Sequence, residues 1–326
     1  MSSVFIVDDQ DASIEYTGHW NTTGQQADFS QTASAGSSGD SMSFSFSGNS
    51  VTVVGDLYAG GTCSAIFSID GAVTNFTSSP TNNTLYQQTL WSSSTLNDGN
   101  HTLVYAVSSC NSSQSFVSLD YLLYNSSNSS MTGATSFFDD SNAGIIYSGT
   151  RNSTSEDNAF RGTLTSMGQG SSFQFTFNGT SVQVYGQVAN TVGQVTQASF
   201  SVDGSPPVPF TAITSGNLVP NKQLYASRSL NKGQHKLSFS NTGNVPVSVD
   251  YILVRGSTSV VAPTSGNSSS SHHQNTYVLV GSIVGGLCAA VILVALSIFL
   301  IRSRRKIVNS RSKNEEHATP PTVVTG

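Results

Sequence analysis

Charge is scarce in this chain and unevenly spread. Asp, Glu, Lys and Arg make up 10% of its 326 residues, and residues 1–131 hold ten acidic side chains but no Lys or Arg. A segment without cations has nothing to set against phosphates, which disfavours nucleic acid as a partner. Residues 132–256 are near neutral, with six acidic and seven basic residues. Cysteine is equally rare: Cys63, Cys110 and Cys288 are the whole complement, and they show no zinc-ligand spacing. A Gly-x-Ser-x-Gly elbow and a phosphate loop are also missing, so the chain is expected not to be an enzyme.

Long apolar runs are absent except for one. Tyr277 to Ile301, YVLVGSIVGGLCAAVILVALSIFLI, carries no charge. At about 1.5 Å per residue it would reach roughly 37 Å, against a hydrocarbon core of about 30 Å, and it reads as a single transmembrane helix. Arg302, Arg304, Arg305, Lys306, Arg311 and Lys313 follow at once, whereas only His272 and His273 offer any positive charge between Gly256 and Thr276. The basic side stays in the cytoplasm, so residues 1–276 are expected outside, at the plasma membrane. The start, MSSVFIVDDQD, has no basic n-region and only a four-residue apolar run, so no signal peptide is visible. Three readings stay open: residues precede the chain as given, the N-terminal part is exported without a cleaved signal, or the protein is tail-anchored with its bulk in the cytosol.

What fills residues 1–256 is a duplication. Residues 4–55 align without a gap on residues 135–186: VDDQDASIEYTG (7–18) meets FDDSNAGIIYSG (138–149), and DSMSFSFSGNSVTVVG (40–55) meets SSFQFTFNGTSVQVYG (171–186). The match resumes with AIFSIDG on ASFSVDG, LWSSSTLNDGNHTL (90–103) on LYASRSLNKGQHKL (224–237), and VSLDYLLY (117–124) on VSVDYILV (247–254). His101 and His235 fall on one repeat position, which favours a structural role for both. Met42, Phe44 and Phe46 alternate with Ser before Gly48-Asn49, and Phe173, Phe175 and Phe177 do the same before Gly179. Period two ended by turn residues predicts a hairpin. Many short strands and no helical period predict an all-β protein of two tandem jelly-roll β-sandwiches, residues 1–127 and 135–256, joined by a 128–134 linker.

The opening Asp-Asp, the Phe-x-Phe hairpin, the [IV]-Asp-Gly turn, the Gly-x-His-x-Leu strand and the closing Asp-Tyr resemble galactose-binding-domain-like jelly rolls, a superfamily that includes many carbohydrate-binding modules. The whole arrangement, from about residue 4 to 325, is similar to tandem jelly-roll, single-pass membrane proteins of mushroom-forming (agaricomycete) fungi. The resemblance implies a structural Ca²⁺ held by acidic groups of the first strand and an Asp of the last. The matching residues are Asp8, Asp9 and Asp120, and Asp139, Asp140 and Asp250. Carboxylate oxygens suit Ca²⁺; the same side chains could instead cap turns. Sugar binding needs an aromatic platform, for which Trp20, Tyr58, Tyr86 and Trp91 are candidates, each equally able to serve as core. Trp20 is matched by Arg151, as expected of an exposed position.

Other features are local. Cys63 and Cys110 either pair or remain as two buried thiols, and a bridge would contribute up to about 4 kcal/mol. N-x-[ST] sequons start at Asn21, Asn75, Asn82, Asn100, Asn111, Asn125, Asn128, Asn152, Asn178 and Asn267, all on the expected outer side, marking glycosylation candidates. Residues 257–276 read as a Ser/Thr-rich stalk and residues 302–326 as a basic, disordered cytoplasmic tail at the lipid surface. Gly281, Gly285 and Ala289 form a small-residue row that would suit a homodimer in the membrane, or reflect ordinary Gly and Ala use. The expected function is carbohydrate binding at the fungal cell surface. The alternative is a structural, adhesion or wall-stress-sensor protein with no glycan ligand.

Overall fold

The structure, a computed structural model, describes residues 3–111, 117–127, 133–188, 192–213, 216 and 218–256. The stalk, the Tyr277–Ile301 segment with Gly281, Gly285 and Ala289, the tail, and the sequons at Asn128 and Asn267 lie outside the described residues. Among the described residues, no helix is long and apolar enough to cross a membrane.

The first copy contributes β1 (Ser3–Asp8), β2 (Ile14–Thr17), β3 (Asn21–Thr23), β4 (Ala33–Gly36), β5 (Ser41–Gly48), β6 (Ser50–Leu57), β7 (Cys63–Ile69), β8 (Ala72–Thr77), β9 (Leu85–Ser92), β10 (Gly99–Cys110), β11 (Val117–Leu119) and β12 (Tyr121–Ser126). The second contributes β13 (Thr135–Asp139), β14 (Ile145–Ser148), β15 (Arg151–Ser155), β16 (Thr163–Met167), β17 (Ser172–Gly179), β18 (Ser181–Val188), β19 (Val195–Val202), β20 (Val208–Ile213), β21 (Val219–Ala226), β22 (Gly233–Asn241) and β23 (Val247–Arg255). The chain is all-β, and each copy is a sandwich of antiparallel sheets.

One sheet of the first sandwich runs β2-β5-β10-β7-β8, and its counterpart in the second runs β14-β17-β22-β19-β20. The alternation seen in the sequence becomes the inner face: Met42, Phe44 and Phe46 point inward while the intervening serines face outward. They meet Phe67, Leu103 and Tyr105 of the same sheet and Val53, Leu119 and Leu122 of the opposite one. Phe173, Phe175, Phe177, Phe200 and Phe239 build the second core. Each fully buried ring of this kind contributes about 1.5–3 kcal/mol relative to exposure.

The hairpin expected at Gly48-Asn49 does not form. β5 pairs with β2 and β10, whereas β6 pairs with β12 and β9 in the other sheet, and β17 and β18 diverge in the same way. Gly48 makes this crossing feasible, since a Cβ there would stand 2.0 Å from the Asn125 carbonyl oxygen. The turn carries the chain over the sandwich edge, and period two alone cannot report which sheet receives the next strand. The Asp70-Gly71 and Asp203-Gly204 turns do close hairpins, with positive φ at all four residues.

The two sandwiches share their second sheet. It runs β15-β16-β23-β13-β1-β12-β6-β11-β4-β3, with β18 on β23, β21 on β18 and β9 on β6. The seam is the short pairing of β1 with β13, Phe5 opposite Ser136 and Ile6 opposite Thr135. On the outer face of this sheet lies a third apolar cluster drawn from both copies: Ile6, Phe29, Val54, Tyr121, Leu123, Phe137, Phe160, Tyr251 and Leu253. The last strand of each copy is thus buried on both faces, which explains why YLLY and YILV are unbroken apolar runs.

Gly55 and Gly186 occupy one repeat position where the shared sheet is tightest. A Cβ would lie 1.8 Å from Ser118 O in one copy and 2.0 Å from Ser248 O in the other. Gly186→Ala is expected to lower stability by about 1–3 kcal/mol through overpacking. Gly99→Ala, with nothing within 4 Å of its Cβ, should leave it nearly unchanged. Urea unfolding midpoints of the two variants check this, and equal midpoints would contradict the packing described.

Candidate functional site: buried carboxylates at the junction of the copies

Three carboxylates of the first copy converge. Asp28 precedes the short turn Phe29–Gln31, Asp56 lies near the end of β6, and Asp120 sits between β11 and β12. One oxygen from each falls within 4.8 Å of the others, and all three residues are buried. Each is held by one oxygen: Asp28 accepts from Gln25 N at 2.5 Å, Asp56 from Ser118 Oγ at 2.8 Å, and Asp120 from Phe29 N at 2.9 Å. The other oxygens, Asp28 Oδ1, Asp56 Oδ1 and Asp120 Oδ2, have no hydrogen-bond partner.

Removing a carboxylate from water disfavours its charged form, and a second carboxylate nearby disfavours it again. Burial pushes Asp28 up to about 6. Burial, with repulsion from Asp28, pushes Asp56 up to about 7. Asp120 is raised well above the ordinary carboxylate range by burial first and then by Asp56 and Asp28. Near neutral pH this group either keeps protons that water would remove or takes a positive charge. Unpartnered, hard oxygens from three acids fit a divalent cation of the Ca²⁺ type, which accepts six to eight oxygen ligands. Asp28, Asp56 and Asp120 would hold it, and the Gln87 Oε1 atom is another buried oxygen without a partner.

Tyr58 and Tyr86 stand beside this group. Burial raises both phenols, and the negative charge of Asp28 and Asp56 adds to the effect. The second copy closes the other side. Asn158 Oδ1 accepts from Tyr86 N at 3.2 Å, Asn158 O from Gln87 Nε2 at 3.0 Å, and Asp157 O from Gln88 Nε2 at 2.7 Å. Reciprocally, Asn221 Nδ2 donates to Asp28 O at 2.5 Å. Gln87 and Asn221 match in the repeat, and both have positive φ. The second copy has no such acidic group: Ala159 and Gln187 stand where Asp28 and Asp56 stand, leaving Asp250 to accept from Phe160 N.

Of the acids expected to hold a metal, only Asp120 belongs to the cluster. Asp9 is buried but accepts from Thr32 Oγ1 and Ser34 Oγ, both at 2.7 Å, while Asp8 accepts from Gln10 N at 2.9 Å. Asp140 accepts from Thr165 Oγ1 at 2.6 Å, and Asp139 from Ser141 Oγ at 2.6 Å. These contacts fasten turns and strands, and Asp139 Oδ1 and Asp140 Oδ1 are buried without a hydrogen-bond partner. Nothing in the sequence motif pointed to Asp28 or Asp56; the available signal was their replacement by Ala159 and Gln187 within an otherwise faithful repeat.

Among the aromatic candidates, Tyr58 and Tyr86 lie at the carboxylates, whereas Trp20 and Trp91 pack against the first core. Trp91 stacks on Phe67 with centroids 5.1 Å apart. Trp20 is half-buried, not exposed, because Gly36 leaves room for its ring and its Nε1 donates to Ser41 O at 3.0 Å. Cys63 and Cys110 are bonded to each other across β7 and β10. Of the described sequon asparagines, Asn21, Asn75, Asn82, Asn100, Asn111, Asn152 and Asn178 are exposed and Asn125 is half-buried. His101 and His235 have both ring nitrogens engaged, by Asp70 and Asn97 O and by Asp203 and Asn231 O, and the Asp hydrogen bond raises each imidazole.

No family model and no curated protein matches the chain. Solved structures do. A family 35 carbohydrate-binding module from Cellvibrio japonicus Abf62 is 16% identical over 38% of this chain and 94% of its own, with a TM-score of 0.32. A family 35 carbohydrate-binding module from Clostridium thermocellum is 16% identical over 36% of this chain and 97% of its own, TM-score 0.30. A family two carbohydrate esterase from Cellvibrio japonicus is 14% identical over 39% of this chain, TM-score 0.30, and the match spans 35% of the esterase. The functional reading therefore rests on this chain's own residues.

The raised carboxylates set a sign for stability. Their folded values of about 6 and 7 exceed the ordinary 3.8, so this contribution is fully present below 3.8 and is lost as pH rises through 6 to 7. In chelator, the melting temperature is expected to fall as pH is raised from about 5 to about 8. Ca²⁺ should restore it more strongly at the higher pH. Asp56→Asn should weaken the Ca²⁺ response and make the pH response shallower, the part due to Asp9 and Asp140, which burial also raises to about 6, remaining. A pH-independent, Ca²⁺-independent melt would contradict this account.

Proposed function

We propose that this is a non-catalytic, carbohydrate-binding protein of the cell surface. In this reading two jelly rolls of galactose-binding type stand outside on a single membrane helix, Tyr277–Ile301, with residues 302–326 in the cytoplasm. The observation that carries it is the pairing of Tyr58 and Tyr86 with the buried Asp28, Asp56 and Asp120 at one edge of the first sandwich. A sugar offers apolar C–H faces and hydroxyls together, and a site that takes it needs an aromatic surface next to fixed oxygens. Here a cation would be a structural ion that fixes the Phe29 turn and β6, while the tyrosine rings face the sugar.

Two further observations support an outside location. The Cys63–Cys110 bond suits an oxidising compartment, and the described sequons, apart from Asn125, present exposed asparagines. A second reading, a structural or adhesion protein, is favoured by the seam between the sandwiches, since the continuous sheet and the shared apolar cluster would make a stiff spacer.

Glycan-array and calorimetric binding to residues 1–256 separates the readings. Binding is expected, with Tyr86→Ala weakening it about tenfold or more, as loss of a stacking ring costs about 0.5–1.5 kcal/mol beyond its buried area. A blank array would leave the adhesion reading. Expressed in a fungal host, the full chain should lose mass on treatment with an N-glycosidase, and an unmodified chain would remove the outside placement.

A further inference from the structure

The two copies differ most sharply in a groove beside the loop that follows β13. In the second copy, Asp139, Asp140, Tyr147, Arg151, Arg161 and Thr163 line a hollow of about 720 Å³. A second hollow of about 330 Å³ shares Asp139, Ser141, Asn142 and Arg161 with it and continues onto β6 and β9 of the first copy. Both volumes fall in the range of ligand sites, about 300–1,000 Å³, and together they make an elongated trough.

In the first copy Trp20 lies on Gly36, where a Cβ would come within 2.9 Å of the indole, and packs against the core. In the second copy Met167 occupies the glycine's position, buried from the inside, and Arg151 replaces the indole. Arg151 stands over the Tyr147 ring, 4.8 Å from its centroid, and makes no ion pair among the described residues. Arg161 replaces Ser30. Its side chain is 68% exposed, and it reaches Asp139 only at 3.9 Å. Its backbone is held at φ 54, and its guanidinium carbon lies 5.2 Å from the Phe160 ring centroid. The second copy thus carries two guanidinium groups, beside Asp139 and Asp140, in a polar trough that the Tyr147 ring lines. The matching first-copy residues, Trp20 and Ser30, are neutral, and residues 1–131 hold no Lys or Arg.

We propose that this trough binds a carboxylate-bearing saccharide, with Arg151 and Arg161 on the acid groups and hydroxyls of the chain along Ser141, Asn142 and Thr163. Guanidinium groups bind planar carboxylates through paired N–H donors, a geometry that a neutral sugar cannot use. The inference rests on the carbohydrate reading but concerns a different surface from the Asp28–Asp56–Asp120 site.

The test is calorimetry of the full chain in detergent with tetragalacturonate, and with the same oligomer after reduction of its carboxylates to alcohols. The acidic oligomer is expected to bind at least tenfold more tightly than the reduced one, and less tightly as salt rises. Arg151→Gln and Arg161→Asn, the latter chosen because Asn tolerates a φ of 54°, should each remove most of that difference while melting curves stay unchanged. Equal affinity for the two oligomers, no binding of the acidic one, or binding indifferent to both substitutions overturns the inference. Binding of neutral glycans that depends on Tyr86 would then still stand, so the two readings fail separately.

Discussion

The last strand of each copy is buried on both faces, and the molecule is built outward from that constraint. Leu122 and Tyr124 face the first core while Tyr121 and Leu123 face the second copy, and Ile252 and Val254 divide from Tyr251 and Leu253 in the same way. Such a strand cannot stand at a solvent-facing sheet. The outer face must be covered, and each copy covers the other. Tyr185 stacks on Tyr251 at 4.9 Å and lies 6.5 Å from Phe29, so the rings of one copy close over the turn of the other. Removing either sandwich would expose a tyrosine-rich apolar face, which soluble domains seldom leave open.

That packing sets the electrostatics. Asp120 comes immediately before the doubly buried strand, so its carboxylate is drawn out of water with the chain. Asp56 follows Gly55, which is pressed against the Ser118 carbonyl, and is buried by the same close approach. Asp28 is fixed through its carbonyl by Asn221 of the second copy. Burying three acids with a free oxygen each is costly unless the charge is cancelled, by the protons they keep or by a cation. The second copy keeps only Asp250 of the three, because Ala159 and Gln187 remove the other two charges.

Much of the architecture was legible in the residues. The repeat, the inward Phe44, Phe46, Phe173 and Phe175, and the [IV]-Asp-Gly turns follow from period two and turn chemistry, which are local properties. The Gly48 crossing was not legible, since the same alternation serves a strand whether its successor joins its own sheet or the facing one. The carboxylate cluster was not legible either: Asp28, Asp56 and Asp120 come from distant stretches, and only β-pairing brings them together. Trp20 looked exposed because Arg151 replaces it, yet the substitution is coupled to Gly36 and Met167, so a change at one position concealed a compensating change at another. The unbroken YLLY and YILV runs mark strands buried on both faces, a reading that only the shared sheet supplied.

The claim at the centre is that the first copy alone holds a cation, on Asp28, Asp56 and Asp120. Equilibrium dialysis of the full chain against radioactive Ca²⁺ near neutral pH measures it directly. One ion bound per chain, abolished by Asp120→Asn, is the predicted result. Two ions per chain, one for each copy, or none, would contradict it.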